Sequence, residues 1–196
     1  VITLAEANAV LPFVNNLWTT TLTGEQLRLA LEQQWGDTAG RDRDLALGVS
    51  ENVRVTYDVA RGPGQRITGI WIDGAPVDPA ATYRVGSFSF LLQGGDAFAV
   101  LGQGADTRDS GLIDRDGWID YLEANPGLTP DFTARAVQVS GVPAQVVPGG
   151  DATVSVSNLD LTSLGAPANT SLSATWGATA GAGAAVGAAG AVADVV

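Results

Sequence analysis

Residues 87–98 read Ser87-Phe88-Ser89-Phe90-Leu91-Leu92-Gln93-Gly94-Gly95-Asp96-Ala97-Phe98. Just upstream, Tyr83, Val85 and Ser87 alternate with Arg84, Gly86 and Phe88, the two-residue period of a pleated strand. The run ends in Gly94-Gly95, where a chain turns tightly and its bare backbone admits a ligand. Asp96 follows at once, with aromatics on both sides. Aromatic faces, open backbone and one carboxylate suit a small-molecule site. The same residues also describe a buried strand leaving its sheet through a glycine turn.

Working outward, composition narrows the chemistry. The chain has 196 residues, room for one medium domain and a small one. Its net charge is −11, and all ten bases are arginines. No basic stripe is present, which argues against nucleic acid and anionic lipid as partners. Cysteine and histidine are both absent. Disulfides, thiol chemistry, a Ser-His-Asp triad and most zinc sites therefore fall away. Position 1 is Val and methionine is absent throughout, which reads as a processed or excised piece and leaves room for a lost signal peptide.

Towards the N-terminus, Thr3 and Glu6 have capping-box spacing and predict a short helix. Leu11-Pro12-Phe13-Val14-Asn15-Asn16 breaks it. Residues 17–22 predict a strand, and Thr23-Gly24 opens a helix with Leu27, Ala30, Leu31 and Trp35 on its apolar face. Residues 36–44 read as a polar loop, with Arg41-Asp42-Arg43-Asp44 a solvated charge cluster. Val53, Val55 and Tyr57 alternate in a strand, and residues 67–72 form another, closed by the hairpin signal Asp73-Gly74. Residues 82–88 are then expected to be the central strand. After Phe98 a Gly-rich, acidic loop is expected, followed by a helix over residues 116–124 that Asn125-Pro126-Gly127 stops. Asp114, Asp116 and Glu123 partly match an EF-hand loop, but Leu112 stands where its first acid belongs; acids at a helix N-terminus are the preferred reading.

From about Phe132 the pattern turns to strands: 136–139, 153–157 and 171–176 alternate, suggesting a small β-sandwich-like module. Residues 177–196, nearly all Ala, Gly and Val, read as a tail or linker with no strong membrane signal. The expected class is thus α+β: a mixed sheet with flanking helices over 1–130, a β-rich module over 131–176, and a tail over 177–196.

Gly94-Gly95-Asp96-Ala97-Phe98 lies one residue from the Gly-Gly-Asp-Glu-Phe signature of diguanylate cyclases. Gly62, Pro63, Gly64 and Gly74 break the long helix which that family places upstream. A second resemblance covers far more of the chain. Leu11-Pro12-Phe13-Val14-Asn15, Leu22-Thr23-Gly24-Glu25-Gln26-Leu27, Leu31-Glu32, Gly48-Val49-Ser50, Val55-Thr56-Tyr57-Asp58 and Gln65-Arg66-Ile67 occur in order. Gly74-Ala75-Pro76-Val77-Asp78-Pro79, Thr82-Tyr83-Arg84-Val85, Gly94-Gly95-Asp96, Asp109-Ser110-Gly111 and Asp120-Tyr121-Leu122 follow. Together they resemble the C-terminal domain of 5′-nucleotidases over roughly residues 1–125, in a form similar to secreted actinobacterial members.

That resemblance implies one part of a two-domain, metal-dependent phosphohydrolase. The catalytic residues and a divalent metal pair would belong to an upstream metallophosphatase domain, so this chain carries no catalytic residue, metal site or cofactor of its own. Phe13 and Phe90 would sandwich the base of a nucleoside or nucleotide across a slot about 7 Å wide, twice a contact distance. Asn15 would bond the base edge, and Asp96, on the Gly94-Gly95 turn, would accept from ribose hydroxyls. Two departures stand out: the family's glycine before the Asn is Val14, and its glycine after the Asp is Ala97. An extracellular or cell-wall location is implied. The rival reading is an extracellular or cell-surface interaction module that keeps the fold without the chemistry.

Overall fold

A computed structural model describes residues 2–132, 137–143, 145, 153–161, 165–176, 179–185 and 193–195. The chain divides into two units, Val1–Gly127 and Leu128–Val196. The first unit opens with α1 (Leu4–Val10), whose N-cap Thr3 and Glu6 exchange side-chain-to-backbone bonds in a capping box. β1 (Asn16–Thr23) runs directly into α2 (Gly24–Glu32), where Thr23 and Gln26 build a second capping box. Gly24 is required at the helix start: a Cβ there would lie 2.2 Å from the Asp78 carbonyl oxygen. The Gly24 and Glu25 N–H groups donate to the carbonyls of Ala81 and Pro79. The Thr-Gly-Glu-Gln motif is therefore the seam between α2 and the residue 78–81 turn.

A one-turn helix, α3 (Gly36–Ala39), follows, then β2 (Val53–Tyr57), β3 (Ile67–Ile72) and β4 (Ala75–Pro76) in an antiparallel ladder ordered β2-β3-β4. Asp73 and Gly74 both take positive φ in the β3–β4 turn, as the Asp-Gly signal predicts. β5 (Thr82–Phe88) passes without a loop into the single turn α4 (Ser89–Leu92). β6 (Ala105–Ile113) and α5 (Asp114–Ala124) complete the unit.

The second sheet is ordered β5-β1-β6, all antiparallel. Two expectations are corrected here. β1 is the central strand, and β5 lies at the edge. Residues 105–113, read as a loop, are a strand: its acids and glycine suit a solvent-facing edge, and nearly every residue of it is exposed. The α+β class stands, with small antiparallel sheets in place of one mixed sheet: every described strand pair is antiparallel.

Two apolar clusters hold the unit. Leu22, Ala30, Leu92, Phe98 and Leu101 form one, and Leu31, Ile67 and Ile70 the other. Each Leu, Ile or Phe buried this way contributes about 1.5–3 kcal/mol. The charged run at 41–44 is structural in part, a further correction. Arg41 donates to the carbonyls of Gln33 and Gln34 at the α2 C-terminus and lies 4.9 Å from the Phe98 ring centroid. Asp44 accepts from the Gly36 N–H.

In the second unit β7 (Gln138–Ser140), β8 (Val154–Ser157) and β11 (Ala193–Val195) pair in the order β11-β8-β7, and β9 (Ser171–Trp176) pairs with β10 (Thr179–Ala185). Residues 177–196, expected to be a tail or linker, thus contain two paired strands. Residue 136 of the expected 136–139 strand lies outside the described residues.

Candidate functional site

The β5-β1-β6 register sets where the segments bearing Phe13 and Phe90 leave the sheet. Leu17 stands opposite Phe88 and Asn16 opposite Ile113. Phe13 lies four residues before Leu17, and Phe90 two residues after Phe88, so both leave the same end of the β1–β5 pair. Both rings are open to solvent, at 73% and 48% exposure. They do not touch each other; the ring–ring contacts among the described residues are Trp35–Tyr57 and Trp118–Tyr121.

Phe90 is set by the residues just after it. Leu92 is buried, as is Phe98, and these two pin the intervening Gly94–Asp96 turn to the core. Gly94 turns at φ 84°, a left-handed value that favours glycine. Gly95 lies against the Phe90 ring: a Cβ there would come within 2.6 Å of Cε1 and Cζ. Asp96 and Ala97 also take positive φ, 51° and 60°. The Asp96 side chain is exposed and forms no hydrogen bond or ion pair with any described residue. Among the six predicted residues it is the open carboxylate.

Asn15, expected to bond a base edge, is tied to the start of α5. Its carbonyl accepts from the Asp114 N–H at 2.8 Å, and its Nδ2 donates to Asp114 Oδ2 at 3.1 Å. Asp114, 3% exposed, sits in the first turn of α5, where the helix dipole favours a carboxylate. The next residue, Asn16, donates from Nδ2 to Asp109 Oδ2 at 2.6 Å. Asp109 also accepts from the Gly111 N–H at 2.8 Å. That backbone bond first, and then Asn16, hold the Asp109 carboxyl below the usual carboxylate range. Ser110 Oγ donates to the Leu17 carbonyl and accepts from the Leu112 N–H. Gly111, at φ 76°, makes the bend possible. The Asp109-Ser110-Gly111 motif is thus the clasp holding the entry to β1, and with Asp114 it supports the loop bearing Phe13 and Asn15. The sequence displays that motif without this role; its signal is a short acid-hydroxyl-glycine run beside a strand.

A cleft of about 290 Å³ lies elsewhere in the unit, lined by Leu27, Leu31, Val49, Ile70, Val85 and Leu101 among others; none of the six predicted residues borders it. Among the described residues no three His, Cys, Asp or Glu side chains are placed to hold a metal ion. No described helix is long and apolar enough to cross a membrane.

Taken as a class, the unit is an α+β domain built on small antiparallel sheets. The family model described as "5′-nucleotidase, C-terminal domain" matches residues 1–103, and the chain belongs to that family. The trifunctional nucleotide phosphoesterase protein YfkN of Bacillus subtilis (strain 168) is 31% identical over 127 residues, 62% of this chain and 8% of that protein. The snake venom 5′-nucleotidase of Naja atra is 30% identical over 149 residues, 72% of this chain and 28% of that one. Among solved structures, a 5′-nucleotidase precursor from Thermus thermophilus superposes with a TM-score of 0.56 at 33% identity, covering 68% of this chain and 27% of that one. The chain therefore spans less than a third of the length of these relatives.

Proposed function

We propose that the first unit is the nucleoside-recognition part of a metal-dependent nucleotide phosphohydrolase, and that a metal-holding catalytic domain precedes it in the full-length protein. The observation that supports this reading is the register: with Leu17 opposite Phe88, the segments bearing the exposed Phe13 and Phe90 leave the same end of the β1–β5 pair, and Asp96, in the turn after Phe90, is exposed. In this reading the base enters between the two rings, separated by about 7 Å, twice a contact distance. Stacking of this kind contributes about 1–3 kcal/mol per base and tolerates any base. Asp96 accepts from the ribose hydroxyls, a charge-assisted bond. Asn15 meets the base edge.

In this reading the metal pair belongs to the other domain. The chain has no histidine or cysteine, and no acidic cluster among the described residues is arranged to hold a cation. What this chain contributes is binding and orientation, fixing the nucleotide so that its phosphate meets the other domain's metals, which would activate the attacking water. The Naja atra relative is a venom protein by name, and an extracellular or cell-wall-associated protein is part of this proposal.

Two stacking faces less the cost of association give about millimolar affinity for the isolated chain. Titration with adenosine, followed by aromatic and amide NMR shifts, is expected to move the Phe13 and Phe90 ring signals together. Phe90→Ala is expected to remove the response, and Asp96→Asn to weaken adenosine while leaving 2′,3′-dideoxyadenosine unchanged. Unaltered adenosine binding by Phe90→Ala would return the unit to the rival reading, an extracellular interaction module that keeps the fold.

A further inference from the structure

The open face of the β5-β1-β6 sheet brings two arginines to either side of a gap. The register places Thr21 opposite Arg84, and Thr19 opposite both Gly86 and Arg108. Residues directly opposite one another share a face of a sheet, so these side chains stand on the side away from the buried Thr20 and Leu22. Arg84 is anchored there. Its Nη1 donates to Thr21 Oγ1 at 3.1 Å and to the Asp106 carbonyl at 3.0 Å, and its Nη2 donates to Thr19 Oγ1 at 2.5 Å. The Asp106 carbonyl reaches that position because β6 bulges between the Thr19 and Thr21 pairings, with Asp106 at φ 50°. The Arg84 Nε–H and the remaining Nη2 hydrogen serve no described residue. Arg108 is exposed and has no hydrogen bond or ion pair with a described residue. Thr19 Oγ1 accepts from Arg84 and keeps its own proton to give. Gly86 supplies the gap: within 4 Å a Cβ there would meet only the Trp18 carbonyl oxygen, at 3.9 Å.

We infer that Arg84, Thr19 and Arg108 form a seat for a phosphate group, separate from the nucleoside site. Neighbouring strands lie about 4.8 Å apart, so β5 and β6 set the two arginine backbones about 10 Å from each other. Both side chains are long enough to meet over β1. Adjacent N–H groups of one guanidinium match two oxygens of one phosphate. Thr19 donates from the floor, and Arg108 closes the third side. Donors from three directions suit a tetrahedral dianion better than a flat carboxylate. Charge points the same way: no described acid neutralises either guanidinium, in a chain whose net charge is −11. Arg84 lies four residues along β5 from Phe88, about 13 Å of strand, so a nucleoside stacked on Phe90 leaves the seat open. The inference therefore stands or falls apart from the nucleoside reading.

The test titrates inorganic phosphate into the intact chain at constant ionic strength, with sodium chloride as the matched control. Saturable NMR shifts of the Thr19 and Gly86 amides and of the Arg84 and Arg108 side-chain Nε–H groups are expected with phosphate and not with chloride. Arg108→Gln breaks no bond with a described residue and is expected to weaken phosphate about tenfold. Arg84→Lys keeps the charge but loses the two-point contact, and is expected to weaken it at least as much. Phe90→Ala is expected to leave the phosphate response unchanged, whatever it does to adenosine. Methyl phosphate separates the sources of the group: binding equal to that of inorganic phosphate supports a phosphate carried on a larger molecule, and binding lost supports the free ion. Three results would each overturn the inference: no saturable shift, equal shifts with chloride, or phosphate binding indifferent to Arg108→Gln. Loss of the phosphate response in Phe90→Ala would overturn it too, by putting the anion at the aromatic end of the sheet.

Discussion

The Phe90 ring rests on the backbone of Gly95, which has no side chain to hold it off: a Cβ at that position would come within 2.6 Å of Cε1, of Cζ and of the Phe90 carbonyl oxygen. The carbonyl is backbone and cannot swing aside, so the turn and the ring are one packed unit. Gly95→Ala is expected to cost about 1–3 kcal/mol, the usual range for overpacking, and to displace the ring. Urea unfolding measures the first effect, and the Phe90 ring shifts the second. Gly62 is the control: it has open space around it and no left-handed φ, and Gly62→Ala is expected to leave stability within about 0.5 kcal/mol.

Glu32 closes α2 as a fully buried carboxylate. Its Oε1 accepts from the Ile67 N–H at 2.6 Å and lies 3.5 Å from Arg28 Nη1, while Oε2 has no partner. This tie joins α2 to β3. Glu32→Ala strands the Ile67 N–H and leaves a cavity, at an expected cost of about 2–4 kcal/mol. Glu32→Gln keeps an acceptor for Ile67 and brings no unpaired charge into the core; it is expected to cost less than half as much. Equal losses for the two variants in chemical denaturation would show that the charge, not the acceptor, is what the core requires.

Local signals were legible in the sequence and distant ones were not. The Thr3–Glu6 capping box, the helix opened by Thr23-Gly24, the Asp73-Gly74 turn and the turn at Gly94-Gly95 each depend on residues within a few positions, and the structure has all of them where the pattern put them. β6 escaped because a solvent-facing edge strand carries acids and a glycine, the same composition as a loop, and only its pairing with β1 distinguishes the two. Missing β6 made β5 look central. Arg41 reads as solvated in the sequence because its partners, two helix-end carbonyls and the Phe98 face, are set by the fold. The site residues came from family resemblance, and the hand that holds Asn15 was hidden because Asp114 is 99 positions away.

Asp37 and Arg66 form a two-point ion pair, with both contacts at 2.6 Å, and the Arg66 guanidinium lies 5.2 Å from the Trp35 ring centroid. The Arg66 hydrogen bonds chiefly hold the Asp37 carboxyl down to about 2. An unfolded Asp titrates near 3.9, so the folded value is the lower one. The contribution is then complete above about pH 4 and fades as pH falls towards 2. Asp37→Asn is expected to lower the urea midpoint at pH 5–7 and to match the unaltered chain near pH 2. A difference between the two chains that persisted unchanged at pH 2 would exclude this pair as its source.

Ala97 stands in the turn just after Asp96, in a backbone conformation that suits glycine. Its φ is 60°, left-handed, immediately after Asp96 at 51°. A residue with a Cβ pays about 1–2 kcal/mol for that conformation. Glycine relieves the strain but loses about 0.5–1 kcal/mol more entropy on folding than alanine. Ala97→Gly is therefore expected to stabilise the first unit modestly, by about 0.5–1 kcal/mol. Ala97→Val, β-branched at the same φ, is expected to destabilise it by more than Ala97→Gly gains. The functional side comes from the geometry. Asp96 and Ala97 share the turn that presents the free carboxylate, so Ala97→Gly relaxes the turn without touching Phe90 or Gly95. If the ribose hydroxyls meet Asp96, adenosine affinity is expected to change with this substitution while dideoxyadenosine affinity does not. A change common to both nucleosides would mean that residue 97 acts on the base slot, through its methyl group, and not on the carboxylate beside it.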